Sequence, residues 1–392
     1  MEHGQFAISP ILELGDHPMA DTFVKSDGDK VNVYPLELKQ CLNCGHIQTT
    51  VITSAKERYV DTEYSYTSSN SGTSRNHWIE FAKSTSDLKL IGNDHVVLEI
   101  GSNDGFMLEQ YRNRGWQVLG IDASPVMTDI CEKKGIACLI GVVGETELLK
   151  GESNLYDLVV ANNVFNHANN PVAFVNFVKR VMKPDGYFIF EVPYWLASIK
   201  SGHFEQIYHE HVNYYLIKAL QPFFQKEGLT ITHVELVDYH GVSIRVFVRW
   251  LHIYDADETV VQFIHQELDA KLFDYFTYRD FEHKIFAQSV YIDCTIDKLI
   301  AEGKTVVAIG AAAKGNTWLN YHKLDASMIK FVTDASESKI GKFTPHSNIP
   351  IVSDKELHGM QNVVAIILSW NIAEQIKQSL LKINPTIQFL EV

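Results

Sequence analysis

VVLEIGSNDG, Val96 to Gly105, is followed by FMLEQYRNRG. A short β-branched run, a turn through Gly101 and Gly105, and a helical pattern stand in that order, so the segment reads as strand, tight turn and helix. Outward from it, HVVLEI (95–100), WQVLGID (116–122), YDLVVAN (156–162) and YFIFEVP (187–193) alternate with helical patterns. Strands that alternate with helices imply a mostly parallel sheet covered on both faces. LTITHVELVDYH and VSIRVFVRW, around Gly241, predict an antiparallel hairpin at the sheet edge. Residues 256–303 hold no Gly or Pro before Gly303 and predict one or two long helices. The alternation restarts in TVVAIGAAAKG, IKFVTDAS and NVVAIILSW, a second α/β unit. The first 60 residues, around CLNCGH, have too few apolar positions for a large core and predict a small lobe leaning on its neighbour. The expected fold is therefore α/β, with a lobe at 1–60, an α/β core at 61–255 and a connector with a second α/β unit at 256–392.

Bulk properties narrow the function. At 392 residues the chain exceeds the size of one ordinary core, and its 46% hydrophobic and 21% charged content is that of a globular protein. A net charge of −14 argues against binding to nucleic-acid backbone, which needs clustered Lys and Arg. No apolar run spans a membrane and MEHGQFAISP lacks the features of a signal peptide, which predicts a cytoplasmic protein without membrane partners. A monomer or weak dimer is expected, although no long exposed heptad or edge strand stands out to settle the oligomeric state. Five cysteines without an export signal suggest thiols or a metal site more than a disulfide framework.

The glycine turn is not a dinucleotide loop, because G-S-N-D-G breaks the G-x-G-x-x-G pattern. Glu99 before it and Asp104 within it would repel a pyrophosphate and attract the sulfonium and ammonium groups of S-adenosylmethionine (SAM). Asn103 lies in the same turn. Asp122, followed by Ala123, ends the next strand, where a carboxylate can accept hydrogen bonds from ribose hydroxyls. Asn162 and Asn163 end a later strand on the same rim. Each signal alone fits an ordinary αβ turn; together they describe a SAM site.

FEQIYHEHVNYY, Phe204 to Tyr215, crowds two histidines, two glutamates and three tyrosines into one loop. A zinc-protease HExxH would need histidine at Asn213, so metal catalysis is disfavoured. Histidine suits deprotonation of a carbon acid, since its ordinary pKa lies near neutrality. IGAAAKGNTWLNY, Ile309 to Tyr321, makes another strand-to-helix turn of small residues with Lys314, a credible phosphate seat. Cys41-Leu-Asn-Cys44 has the knuckle spacing of structural zinc, but a closed site needs four ligands. No second C-x-x-C exists, and His3 and His46 are the nearby candidates.

These segments resemble the three-domain sugar C-methyltransferases that methylate C-3 of nucleotide-linked 4-keto-deoxysugars. The resemblance spans LELGDHPMADTF, YPLELKQCLNCGHIQ, EYSYTSSNSGTSRNHW, LEIGSNDG, ANNVFNH, IYHEH, GAAAKGNTWLNY, DASESKIGKFTPHSNIPI and ILSWN. It implies a class I SAM-methyltransferase Rossmann-like core, a zinc-ribbon-like N-terminal lobe and a C-terminal Rossmann-like domain for the nucleotide sugar. His211 would be the general base, with Tyr208, Glu210 and His167 orienting the sugar or stabilising the enolate. Tyr64, Tyr66, Ser68, Ser69 and His209 would contact the substrate, and Lys314, Asn316 and Lys342 would hold the nucleotide diphosphate. Members carry a further C-x-x-C before the LELG segment; here His3-Gly4 stands about where its second cysteine and glycine would be, which leaves zinc in doubt. The alternatives are a SAM-dependent O- or N-methyltransferase and a non-catalytic SAM or nucleotide-sugar binding protein.

Overall fold

The computed structural model describes residues 8–60, 67–69, 71–88 and 90–390. Its strands, in chain order, are β1 (Ile8–Pro18), β2 (Val33–Cys41), β3 (Ile47–Thr49), β4 (Val96–Ile100), β5 (Gln117–Asp122), β6 (Cys138–Ile140), β7 (Tyr156–Val160) and β8 (Met182–Pro193). There follow β9 (Asn213–Tyr214), β10 (Leu229–Val237), β11 (Ser243–Trp250), β12 (Thr305–Ile309), β13 (Val332–Thr333), β14 (Ile351–Val352), β15 (Val363–Ile367) and β16 (Gln388–Leu390).

They form three sheets. The central one has the order β10-β11-β8-β7-β4-β5-β6, with β4, β5, β6, β7 and β8 parallel and the hairpin β10-β11 antiparallel at one edge. The C-terminal sheet, β14-β13-β12-β15-β16, is parallel throughout. In each, the chain starts in the middle and winds both ways, so β4 and β12 are flanked by strands whose connections leave in opposite directions. Such a switch point opens a crevice at the carboxyl ends of the strands, where ligands bind in open α/β sheets.

The N-terminal sheet has the order β1-β2-β3-β9. Its last strand comes from the far side of the histidine loop, since Ile47 pairs with Tyr214. The lobe is therefore tied directly to the loop, and further to the C-terminal unit by the bridge between Val24 and Phe343. One buried cluster runs from Leu36 and Leu38 of the lobe through the central sheet to Ile349 and Ile366. At its middle, Phe165, Phe174, Phe188, Phe190 and Phe224 pack at centroid distances of 5.1 to 6.4 Å and are buried to 2% exposure or less. Each such ring contributes roughly 1.5–3 kcal/mol relative to exposure.

The connector folds as two helices, Glu258–Asp269 and Tyr275–Ala301, capped by Asp257 and Asp274, whose side chains accept backbone N–H bonds in the first turn. Among the described residues no helix is long and apolar enough to cross a membrane.

Candidate functional site

The two switch points face one another across a cavity of about 440 Å³, bounded on a third side by the histidine loop. The first wall is the VVLEIGSNDG turn. Gly101 takes a left-handed φ of +71°, and a Cβ there would stand 2.2 Å from Val164 Cγ2, so only glycine brings the backbone this close to the β7 rim. Asp122 then accepts from the Asn103 N–H through Oδ2 and from the Ser124 N–H through Oδ1, both at 2.8 Å. Each carboxylate oxygen keeps acceptor capacity toward the cavity.

Glu99 is the telling residue. Its Oε2 is buried in the cavity wall with no hydrogen-bond partner, and burial, then Asp104, pushes its carboxyl well above the usual range. A carboxyl so placed is complete only when a cation or donor arrives. Gly101, Asn103, Asp122, Ala123, Asn162 and Asn163 line the same cavity. Asp104 and Gly105 do not. Asp104 instead accepts from Ser68 (2.5 Å) and Ser69 and pairs with Lys134 at 3.4 Å, because the left-handed turn at Asn103 (φ +51°) directs it behind the loop. The Ser68 N–H meets Asn103 Oδ1 at 2.8 Å, so Ser68 borders the cavity and Ser69 stands outside it.

In the histidine loop a turn over His209 and Glu210, closed by the His211 N–H on the Tyr208 carbonyl at 3.0 Å, separates neighbours. Tyr208, Glu210 and His211 line the cavity, whereas His209 turns the other way. His209 is fully buried against Tyr34, its Nε2 3.2 Å from the Tyr34 carbonyl, and so holds the lobe and does not reach substrate space. His211 Nδ1 lies 3.0 Å from the Gln206 carbonyl, which requires the proton on Nδ1 and leaves Nε2 as an acceptor, 2.6 Å from the Tyr208 hydroxyl. Burial lowers the His211 pKa to about 3, with Lys314 adding to the effect. Burial raises Glu210 to about 7, with Asp21 next in weight; its Oε1 accepts from the Asp21 N–H at 3.2 Å and its Oε2 has no hydrogen-bond partner.

His167 sits 5.0 Å, centroid to centroid, from His211. Its Nδ1 is 2.5 Å from the Tyr59 hydroxyl, its Nε2 is buried with no hydrogen-bond partner, and burial holds its pKa well below the ordinary value. Arg58 ties these pieces together, donating to the His167 carbonyl at 3.1 Å and to the Glu210 carbonyl at 3.4 Å. The lobe's contribution through Arg58 and Tyr59 was not legible in the sequence, because nothing in SAKERYV marks a buried arginine.

On the wall of the second switch point Lys314 opens the helix Ala313–Tyr321, its ammonium hydrogen-bonded to Asn371 and 4.5 Å from the Trp370 ring centroid, and burial lowers its pKa to about 8. Asn316 faces away: its amide donates to the Ala20 carbonyl at 2.6 Å and pins the lobe. Lys342 is also outside the lining, and Lys339 takes the place expected of it. His240, from the β10-β11 hairpin, enters the cavity as well, with burial lowering its pKa to about 3. Tyr64 and Tyr66 lie outside the described residues, as does His3.

The comparisons with known proteins bear on the whole chain. A family model described as "C-methyltransferase C-terminal domain" matches residues 238–386, one described as "Methyltransferase domain" matches 77–234, and one described as "Putative zinc binding domain" matches 4–59. The chain is also 27% identical over 371 residues to the C-methyltransferase NovU of Streptomyces niveus, across 93% of this chain and 88% of NovU. The chain is a SAM-dependent methyltransferase, similar along nearly its whole length to C-methyltransferases.

The chain is also 22% identical over 162 residues to a ubiquinone biosynthesis O-methyltransferase of Paraburkholderia xenovorans, across 38% of this chain and 70% of the relative. It also overlaps a SAM-dependent methyltransferase of Clostridium acetobutylicum (14% identity, TM-score 0.38, 45% of this chain and 92% of that one). A third overlap is with the CcbJ methyltransferase of Streptomyces caelestis (13%, TM-score 0.36, 44% and 89%). Its central unit is a class I SAM-dependent methyltransferase fold, and SAM is its cofactor; the unpartnered Glu99 carboxyl and the close-approach turn at Gly101 fit that cation. The match to a zinc-binding domain includes Cys41 and Cys44. Among the described residues no three His, Cys, Asp or Glu side chains are placed to hold a metal, Cys41 and Cys44 are free, and His46 is engaged with Asn213 at 3.1 Å.

Proposed function

We propose that this methyltransferase acts on C-3 of a nucleotide-diphosphate-linked 4-keto-deoxysugar, the carbon beside the ketone. Bound SAM supplies an electrophilic methyl group; the chain's own residues make the acceptor carbon nucleophilic and hold it in place. Glu99, Asn103 and Asp122 hold the cofactor's ammonium and ribose, with Gly101, Ala123, Asn162 and Asn163 shaping the crevice. His211 Nε2 takes the C-3 proton. The Tyr208 hydroxyl, released from Nε2, then donates to the oxygen on which enolate charge collects. With Tyr59 donating to His167 Nδ1, the His167 proton stands on Nε2 and points to the same oxygen. The observation that carries this reading is the Tyr208–His211 pair, a base and a donor 2.6 Å apart, in the wall of the cavity that also holds the cofactor turn.

His211 is a weak base in the empty cavity, because burial opposes its charged form. An enolate forming beside it supplies the opposite charge that burial removed, so proton transfer is favourable only with the acceptor in place. The acid composition and the absence of a basic surface cluster in the sequence support a small-molecule partner, and we place the reaction in the cytoplasm with the chain as a monomer or weak dimer. We read 1–60, 61–255 and 256–392 as its three working units.

Solvent deuterium exchange at the acceptor carbon tests the reading. Wild-type enzyme with S-adenosylhomocysteine and a nucleotide-linked 4-keto-deoxysugar is expected to wash deuterium into C-3, and His211→Ala to abolish the exchange. Exchange that persists in His211→Ala removes His211 as the base. Methyl transfer without any exchange, to an oxygen or nitrogen, removes the carbon acceptor.

A further inference from the structure

The tip of the β10-β11 hairpin carries three consecutive residues in the left-handed region: His240 (φ +53°), Gly241 (φ +81°) and Val242 (φ +77°). Glycine adopts this conformation freely, histidine less so, and a β-branched valine is a genuine outlier there. Such strain persists only where the surroundings over-determine the backbone. At this tip they do. The Val242 carbonyl accepts from the Tyr194 N–H at 3.1 Å, and Ser243 Oγ donates to the Tyr239 carbonyl at 3.0 Å. Tyr239 stacks on His77 at 3.9 Å with an interplanar angle of 4°, and His77 Nε2 lies 2.7 Å from Glu191 Oε2. On the other side Trp370 closes over Gly241 and leaves no room for a side chain.

What this hold achieves is the placement of His240. Its ring lines the cavity, near enough to His211 and Lys314 to feel their charge. Burial first, then Lys314, His77 and His211, keep the ring neutral at physiological pH. A neutral imidazole has one donor nitrogen and one acceptor nitrogen. It is a poor seat for a phosphate and suits a hydroxyl, which donates and accepts in turn. The proton transfer itself leaves this ring without a task, since His211 is the base and Tyr208 and His167 serve the enolate oxygen.

We propose that His240 is a specificity-determining residue that hydrogen-bonds a ring hydroxyl of the acceptor sugar, and that the strained hairpin tip holds it in place to do so. This deepens the sugar reading and rests on it. His240 takes no proton in the reaction. It fixes the sugar ring on the side away from Tyr208, so that the reacting carbon stands at His211 Nε2, and it selects sugars that carry the hydroxyl. The left-handed backbone at 240–242 is then stability given up for position.

His240→Gly in the full chain is the test, because glycine removes the imidazole and relieves the backbone at the same position. Its thermal midpoint is expected to be no lower than that of the wild type, and its Kd for S-adenosylhomocysteine unchanged. Its KM for a nucleotide-linked 4-keto-6-deoxyhexose is expected to rise about tenfold, the scale of a hydrogen bond lost in a buried site. Free imidazole in the assay should restore part of that loss. A second measurement reads the contact itself. The wild type should bind the hexose about tenfold more tightly than a counterpart lacking its C-2 or its C-3 hydroxyl, and His240→Gly should not distinguish the two. An unchanged KM in His240→Gly, or the same discrimination by both proteins, overturns the role of His240 and leaves the sugar reading standing. A variant that melts lower and loses S-adenosylhomocysteine affinity in step also overturns it, since the ring then serves only the fold. If the wild type methylates no such hexose while it methylates another acceptor, the sugar reading fails and this proposal with it.

Discussion

The hydroxyl of Tyr208 lies 2.6 Å from Nε2 of His211, and the Gln206 carbonyl, 3.0 Å from Nδ1, holds that ring in the tautomer whose Nε2 is free to accept. Two residues three apart in one loop thus present a base and a proton donor to the same point. Substituting His211 by Ala is expected to lower kcat by about 10²–10⁴, the usual worth of a positioned base. Tyr208→Phe keeps the base and removes the donor, so it should cost less and should slow methylation more than it weakens acceptor binding. Steady-state kinetics on both variants check the order.

Glu99 gives a prediction on binding alone. Its Oε2 has no hydrogen-bond partner in the cavity wall, and a cationic ligand would restore its charge. Glu99→Gln should therefore weaken SAM about tenfold or more, by the scale of a charged hydrogen bond. Calorimetry with SAM reads this directly, and an unchanged Kd would show that the cofactor's ammonium lies elsewhere.

The contact between the central and C-terminal units is narrow enough to test with one methyl group. Gly241, at φ +81°, would place a Cβ 2.0 Å from Trp370 Cη2, and Trp370 in turn stacks on His203 at 3.7 Å. Gly241→Ala should cost about 1–3 kcal/mol from overpacking in addition to its backbone strain. Gly28→Ala, with a similar φ of +78° and open space around it, isolates the backbone part. Denaturant unfolding of the two variants should show Gly241→Ala the more destabilised, and equal losses would mean that Trp370 yields without cost.

Acid should destabilise the protein through its buried histidines. Burial lowers His211 and His240 to about 3 and His17 and His46 to about 4, against an ordinary 6.5. Between those values the unfolded chain binds the extra protons, so the stability these groups contribute is full above pH 6.5 and is lost as pH falls toward 4 and 3. Glu210 and Glu267, raised to about 7 mainly by burial, act oppositely: their contribution is full below pH 4.5 and is lost as pH rises through 7. His167, His209 and His322 are also lowered and Glu99 and Asp122 also raised by burial, so seven groups outweigh four, and denaturant midpoints should rise from pH 4.5 to 6.5. A flat or falling profile over that range would contradict the burial of the seven rings.

The strand-and-helix order was readable because each run, such as YDLVVAN, has the continuous apolar character of a strand buried on both faces. The walls of the cavity were readable only in part. Period-two alternation would have put His209 and His211 on one face, and nothing in IYHEH marks the turn over His209 and Glu210 that parts His209 from Tyr208, Glu210 and His211. Asp104 looked like a cofactor ligand because its spacing is right, and only the left-handed backbone at Asn103 shows that it turns back to Ser68 and Lys134. Asn316 looked like a phosphate ligand because it neighbours Lys314; on a helix, two residues apart means facing apart. His240 hid in a hairpin loop that gave no sign of bending into the cavity.

The most direct test of the account is the position of the transferred methyl. Purified enzyme would be incubated with ¹³C-methyl SAM and nucleotide-linked 4-keto-deoxysugars, and the product examined by carbon–carbon coupled NMR. The account predicts a methyl carbon coupled to C-3 beside the ketone, with the signal lost in His211→Ala. A methyl group attached to oxygen or nitrogen, or full transfer by His211→Ala, would contradict it.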